Sequence, residues 1–432
     1  MTRPYGSMMG LATLALAGAL WSPDALEAQN VPLRFPPGEA KFATPAPLDL
    51  VKFVTPADNP TTPEKVELGR KLFEDKRLSA ENTVSCATCH DAASGFTARL
   101  ETAKGIRDQA GKRNTPTVLN SMFFHTQFWD GRAATLEEQA KMPILNPIEM
   151  GMKDGPAVVA KLSAIPEYTA EFSKVFGRAL NYDDVGRAIA AFERTIVSSE
   201  APIDRYLRGN ENALNAAQKR GWSIFNGKGR CITCHGFNAT YPFFTDNKFH
   251  NVGVAARKQD FASLATRAER ATTSGKPEEI DRMALETDFS ELGRFLVTKN
   301  RPDIGAFKTS GLRDIVLTAP YMHDGSLPTL WDVIDHYNKG GEPNPFLDGG
   351  IQRLGLNEDE ISDLVELMGA FTSDSFAAQG AQEFTRQRTF ARGPRSTRDN
   401  DAAMGRKMGR GDAVPTPEKK DPALIGGRPI AP

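Results

Sequence analysis

The chain has 432 residues, 40% hydrophobic and 25% charged, with 53 basic against 54 acidic side chains. That balance gives no reason to expect nucleic acid as a partner, and the length is enough for two or three domains. All four cysteines fall into two copies of one pattern, so none is left over for a disulfide framework.

At the N-terminus a short basic start, Arg3, precedes an apolar or small run from Met8 to Leu20, and Leu26-Glu27-Ala28 then offers a cleavage site before Gln29. The run is shorter than the roughly 20 residues a membrane-spanning helix needs. It predicts a signal peptide over 1–28, followed by an extension over 29–44 and a mature protein soluble in the periplasm. Retention as an uncleaved anchor is the alternative.

The first helix is predicted from Thr61-Thr62-Pro63-Glu64, which supplies a capping hydroxyl and an N1 proline. It carries Val66, Leu68, Gly69, Leu72 and Phe73. Next comes Cys86-Ala-Thr-Cys89-His90, and later Cys231-Ile-Thr-Cys234-His235. Cys-x-x-Cys-His is the attachment signature of c-type haem. On one helical turn, positions i, i+3 and i+4 share a face. Two thiols can thus add to the two vinyl groups of one porphyrin while the next imidazole ligates its iron. Two covalent haems are expected, with His90 and His235 as iron ligands.

Tyr182 to Val197 places Val185, Ile189, Phe192 and Ile196 on one face, and Asn357 to Phe371 does the same with Ile361, Leu364, Val365, Met368 and Phe371. Asn215 to Phe225 repeats the Gly-x-x-x-Phe of the first helix, as Gly221 and Phe225. A first helix crossing a last helix, with glycine allowing close approach, is how cytochrome c domains wrap a haem. The reading is all-α: two such domains over 45–200 and 201–375, haems facing across the interface, divided near Ser198-Ser199-Glu200-Ala201-Pro202. The charged stretch from Ala255 to Lys276 reads as a surface loop or short helix. From Ala381 onward there are 11 basic and 6 acidic residues without a sustained apolar period, so 376–432 reads as a disordered basic tail, either a solvated extension or an arm for an acidic partner.

The second axial position decides haem chemistry. His125, His250, His323 and His336 remain as unused histidines, beside methionines and tyrosines. The residues between the motifs are recognisable: Phe128-Trp129-Asp130-Gly131-Arg132, Leu136-Glu137-Glu138-Gln139-Ala140, Asn146-Pro147-Ile148-Glu149-Met150-Gly151, Phe307-Lys308-Thr309-Ser310-Gly311-Leu312-Arg313 and Leu317-Thr318-Ala319-Pro320-Tyr321-Met322-His323-Asp324-Gly325. Over about residues 60 to 372 the chain resembles the bacterial di-haem cytochrome c peroxidases. That resemblance implies that Glu149 is the distal acid–base group beside a peroxide-binding N-terminal haem, and that Gln139 is a second distal polar group. It makes Trp129 the tryptophan between the haems, a plausible electron relay. Asn114, with the carbonyls of Thr318 and Pro320, matches the family's inter-haem calcium site. His250 and His323 read as pocket or haem-propionate contacts.

Two departures sort the chain within that family. Ordinary members carry a histidine that caps the N-terminal haem until reduction; here the matching position is Ile106, which cannot ligate iron, so unless His125 swings in that haem has an open side at rest. Fourteen residues after His323, where ordinary members place a methionine ligand to the C-terminal haem, stands Tyr337. A tyrosine there resembles the MauG-like branch; Met322 and His336 are rival ligands. Phenolate is a hard anionic donor that favours oxidised iron, whereas a thioether raises the potential. The implied enzyme uses hydrogen peroxide at the first haem and oxidises an external donor, a periplasmic redox protein or a residue on a protein substrate through the second. The alternatives are a peroxide-scavenging peroxidase fed by a small cytochrome or cupredoxin, and a non-catalytic di-haem electron carrier, against which Glu149, Gln139 and the missing capping histidine argue.

Overall fold

The computed structural model describes residues 55–238, 240–258, 260–274 and 289–392, with short strands at Leu424–Ile425 and Arg428–Pro429. The expected signal peptide, the N-terminal extension and residues 393–432 of the expected tail lie outside these, the two strands apart. The described part is mostly helical, built on α1 (Pro63–Glu74), α2 (Leu136–Leu145), α3 (Tyr182–Glu193), α4 (Ala216–Asn226), α5 (Phe261–Thr273), α6 (Leu330–Asn338), α7 (Glu358–Gly369) and α8 (Ala377–Arg392). Between 249 and 308 there is one small antiparallel pair, β1 (Phe249–His250) with β2 (Phe307–Lys308), in the register Phe249 to Lys308. No helix of the described residues is long and apolar enough to cross a membrane.

Local chemistry starts the helices where the sequence places them. Thr62 Oγ1 accepts from Lys65 N at 3.3 Å and Pro63 occupies N1 of α1. Asn215 and Gln218 form a reciprocal capping box on α4, as do Asn357 and Glu360 on α7. Each haem motif sits between a first and a last helix in close contact. A Cβ on Gly69 of α1 would lie 1.9 Å from Ala188 O of α3, and one on Gly221 of α4 would lie 2.2 Å from Asp363 O of α7. Only glycine permits either approach, as the repeated Gly-x-x-x-Phe predicts. One apolar core gathers Leu68, Leu72, Phe73, Val185 and Ile189, and a second gathers Phe225, Phe244, Leu364, Val365 and Phe371.

Two expectations need correction. The stretch read as a disordered tail begins with α8, which is anchored to the second core. Gln387 is fully buried, donates to Val316 O at 3.0 Å and to Tyr321 Oη at 2.9 Å, and accepts from Leu330 N at 3.1 Å. Polar bonds and a few apolar contacts hold this helix, which is why its apolar period is weak. The stretch from 255 onward, read as a surface loop or short helix, is helical as the second alternative had it, but it is packed into a core rather than lying on the surface. In α5, Phe261, Leu264, Ala265, Ala268 and Ala271 are buried at helical spacing, forming a third cluster with Leu292, Phe295, Ile304 and Phe307.

The segments on either side of Ser198 are joined by buried polar groups. Asp314 accepts from Ser198 Oγ, and from Ser373 N and Oγ at 2.8 Å each. Asn120 Nδ2 donates to Ser198 Oγ at 2.8 Å. Arg313 makes a buried two-pronged ion pair with Asp204, at 2.9 and 2.6 Å.

Gly69→Ala and Gly221→Ala are each expected to destabilise the protein by about 1–3 kcal/mol, the usual cost of forcing atoms into a packed contact. Gly349→Ala, where a Cβ meets no neighbour within 4 Å, should leave the denaturation midpoint unchanged. Equal midpoints for all three variants would remove the close-approach argument.

Candidate active site

In the first motif, Ser85 N donates to Thr88 Oγ1 at 2.9 Å, and His90 N closes the turn onto Cys86 O at 2.9 Å. In the second, His235 N bonds Cys231 O at 2.8 Å. None of the four cysteines is joined in a disulfide. His90 Nδ1 meets Phe96 O at 3.1 Å and His235 Nδ1 meets Phe244 O at 2.8 Å. A carbonyl can only accept, so Nδ1 carries the proton and Nε2 is the ligating nitrogen in each ring. Burial lowers the pKa of both imidazoles, which keeps them neutral. Two pairs of thiols outside any disulfide, each beside a neutral, oriented imidazole, fit two covalently attached haems.

Around the first motif the structure docks one loop on one turn. The loop closes on itself through Gly105 N to Gln109 O (2.9 Å) and Gly111 N to Ala103 O (2.8 Å). It reaches the 146–151 turn through Ile106 N, which donates to Glu149 O at 2.9 Å. A Cβ on Gly105 would strike Ile148 O at 1.9 Å, and one on Gly151 would strike Ile106 Cδ1 at 2.2 Å. Ile106 is buried. The same turn folds back on the end of α2, where Met150 N donates to Pro143 O at 3.3 Å. Gln139 stands one turn before Pro143, on the same face. The carboxyl of Glu149 and the amide of Gln139 have no protein hydrogen-bond partner among the described residues. Burial raises the Glu149 carboxyl above its ordinary value, partly opposed by the Arg132 guanidinium.

Trp129 joins the segments carrying the two motifs. Its Nε1 donates to Asn114 O at 2.8 Å, and its carbonyl accepts from Lys308 N at 2.8 Å. Asn114 N in turn donates to His323 O at 2.8 Å. The Asn114 side chain is buried and its Nδ2 donates to Leu100 O and Glu101 O. Among the described residues no protein donor reaches Asn114 Oδ1 or the carbonyls of Thr318 and Pro320. Oxygens left in that state suit a hard cation.

Tyr337, on α6, lies within electrostatic reach of the Cys231 and Cys234 thiols, and its phenol has no protein hydrogen-bond partner among the described residues. Burial raises the phenol well above its usual value, with the neighbouring thiols adding to the effect. The rival His336 is engaged elsewhere, its Nε2 on Val252 O at 2.8 Å. Met322 packs against the second apolar core. His323 is buried, bonded through Nε2 to Glu291 at 2.8 Å and stacked on Phe307 with ring centres 3.5 Å apart. His250 lies between Asp348 (2.7 Å) and Asp246 (3.0 Å). It is pushed up to about 10, first by the Cys234 thiol and then by those two carboxylates; haem attachment turns that thiol into a thioether and removes the first of these causes. His125 is exposed and lies beside Tyr241.

Sequence reasoning missed Glu193. It ends α3 on an otherwise apolar face, and only its neighbours reveal its state. It is buried, its Oε2 has no partner, and Arg194 and Glu137 stand beside it with unpartnered buried atoms of their own. Arg194 donates to Glu137, which also accepts from Asn59 Nδ2 at 2.6 Å. Glu193 and Glu149 both raise the Cys86 thiol's pKa, after burial.

Residues 63–212 match the family described as di-haem cytochrome c peroxidase. The methylamine utilization protein MauG of Methylorubrum extorquens is 39% identical over 74% of this chain and 82% of its own. Cytochrome c551 peroxidase of Pseudomonas aeruginosa is 37% identical over 64% of this chain and 72% of its own. Among solved structures, a MauG-like protein associated with microbial copper homeostasis superimposes with a TM-score of 0.63 at 31% identity, covering 78% of this chain and 97% of that one.

Burial pushes the Glu193 carboxyl from an ordinary 4.5 up to about 8, against the pull of Arg194. Between those values the folded protein holds a proton that the unfolded chain has released, so this group's contribution falls as pH rises. Glu193→Gln is expected to flatten the loss of stability between about pH 5 and pH 8 in a denaturant series. An unchanged slope would mean that the carboxyl is ionised in the fold.

Proposed function

The chain belongs to the di-haem cytochrome c peroxidase family, and from that premise we propose a periplasmic oxidoreductase of the MauG-like kind, consuming hydrogen peroxide at the His90 haem and drawing electrons from an external donor or a protein residue through the His235 haem. The family is enzymatic and carries two c-type haems, which supply the electron-transfer and peroxide chemistry when bound. Reducing peroxide to two waters takes two protons and two electrons, and the side chains manage the protons. Glu149 takes one from the bound peroxide and returns it to the leaving oxygen. Its raised pKa brings that exchange toward neutral pH, while Gln139 supplies a neutral hydrogen bond beside it. Trp129 bridges the two motif-bearing segments as the electron relay. Ile106 keeps the peroxide side open without prior reduction. A calcium ion held by Asn114 Oδ1 and the carbonyls of Thr318 and Pro320 belongs to the same reading.

The observation that carries the MauG-like reading is Tyr337, a buried phenol without a hydrogen-bond partner among the described residues and within electrostatic reach of Cys231 and Cys234. A phenol buried without a partner stays protonated; a ferric iron in its place of contact would take over the proton's role and hold it as phenolate. The near-equal similarity to cytochrome c551 peroxidase favours a second reading, a peroxide scavenger fed by a small redox protein. The two differ in whether the second haem stores an oxidising equivalent or merely relays electrons.

Electron paramagnetic resonance of the diferric protein is expected to show one high-spin and one low-spin haem. Tyr337→Phe should abolish that low-spin signal, and Tyr337→Met should raise the potential of the second haem. An unaltered low-spin spectrum in the phenylalanine variant would hand the ligand role to Met322 and the function to the scavenger.

Glu149→Gln should leave both haems attached and slow peroxide cleavage by about 10²-fold or more, followed by stopped-flow absorbance. Unchanged kinetics would move the proton transfer to solvent, with Gln139 left as a hydrogen-bonding group.

A further inference from the structure

Four cationic side chains gather around the segment 126–131 next to Trp129, and two of them pair with the Asp130 carboxylate. Asp130 is buried and accepts from Arg113 at 2.8 Å and from Arg132 at 3.0 Å. Arg294 NH1 donates to the carbonyls of Asp130 and Gly131, both at 2.9 Å. Lys308 Nζ donates to Thr126 O at 2.9 Å and makes no ion pair among the described residues; Asp130 is the one carboxylate whose charge supports it. The second prong of Arg113 reaches only Ser290 O, at 2.8 Å. Glu291 and Asp324 are matched elsewhere, with His323 and Lys258. Arg132 is also within electrostatic reach of Glu149, whereas Lys308 and Arg294 make no ion pair among the described residues, and buried unpaired charge is costly.

The cluster also contains an unused donor. Thr126 Oγ1 is buried without a partner. A Cβ on Gly131 would lie 2.8 Å from that hydroxyl and 2.9 Å from Arg294 NH1, so hydroxyl and guanidinium surround the same stretch of backbone. Lys308 is two residues before Ser310, whose backbone lies close enough to the His235 ring to raise its pKa, so this segment runs past the second motif's histidine. We propose that Lys308, Arg294 and the Thr126 hydroxyl form an anion seat for a propionate carboxylate of the His235 haem, and that this seat sets the haem's reduction potential. Burial alone pushes the Lys308 ammonium down to about 8, against Asp130; a carboxylate at hydrogen-bond distance restores its charge. A fixed positive charge beside a haem favours the reduced iron, so the seat raises the potential.

The test uses the full haem-loaded chain and does not depend on Tyr337, since the seat needs only that the second haem be present. Haem content is measured first, as two per chain. Spectroelectrochemical titration then gives the midpoint of each haem for Lys308→Met, Lys308→Arg, Arg294→Gln and Asp130→Asn. The expected result is a downward shift of the His235 haem in Lys308→Met and Arg294→Gln, a value near wild type in Lys308→Arg, and an upward shift in Asp130→Asn. Unchanged midpoints in Lys308→Met and Arg294→Gln with both haems attached would overturn the proposal. If Lys308→Met fails to load haem, Arg294→Gln decides by the same criterion.

Discussion

Asp314 is fully buried, makes no ion pair among the described residues, and sits in the left-handed region at φ 55°. A carboxylate in that position survives only if its oxygens are saturated with donors, and burial pushes its pKa upward even so. Ser198 satisfies it from one side and Ser373 from the other, with Asn120 steering the Ser198 hydroxyl. Arg313, the preceding residue, is committed to Asp204. Removing one partner of such a buried pair typically costs about 3–5 kcal/mol, because the other charge is left stranded. The joint is therefore a specific latch rather than a smear of apolar contact. Hydrogen bonds of this kind do not slide, and that fixes the register in which the two motif-bearing segments meet.

That register is what gives Trp129 its place. The tryptophan is held by Asn114 O on one edge and by the backbone of Lys308 on the other, so it cannot follow one segment without releasing the other. Its indole proton is given to a carbonyl, a group that cannot accept it outright. An electron can leave such an indole, but a proton cannot readily leave with it. The ring is suited to passing charge on and poorly suited to keeping it.

The legible parts of this molecule are those whose chemistry is local. Cys-x-x-Cys-His must lie on one turn for the thiols and imidazole to reach one porphyrin. Thr62, Asn215 and Asn357 cap helices through donors three residues away. Gly69 and Gly221 were readable because the same spacing occurs twice. Partnerships across long stretches of chain were not. Lys308 and Arg294 reach the backbone of residues 126–131 from more than 160 residues away, and nothing in Phe-Trp-Asp-Gly-Arg or Phe-Lys-Thr announces that meeting. Gln387 holds α8 by polar bonds, which an apolar-period search passes over. In α5 the period was present at Phe261, Leu264, Ala265 and Ala268, but the surrounding charges obscured it.

The docking of Ile106 on the 146–151 turn bears on how such a site could change over generations. Its amide holds the backbone of Glu149, and its Cδ1 occupies the space that any side chain at 151 would need. A histidine at 106 would have to turn away from that packing to reach a metal, loosening the turn that aims the carboxyl. Residues 105, 106 and 151 thus form one packed unit, and a change at any of them is felt at the other two.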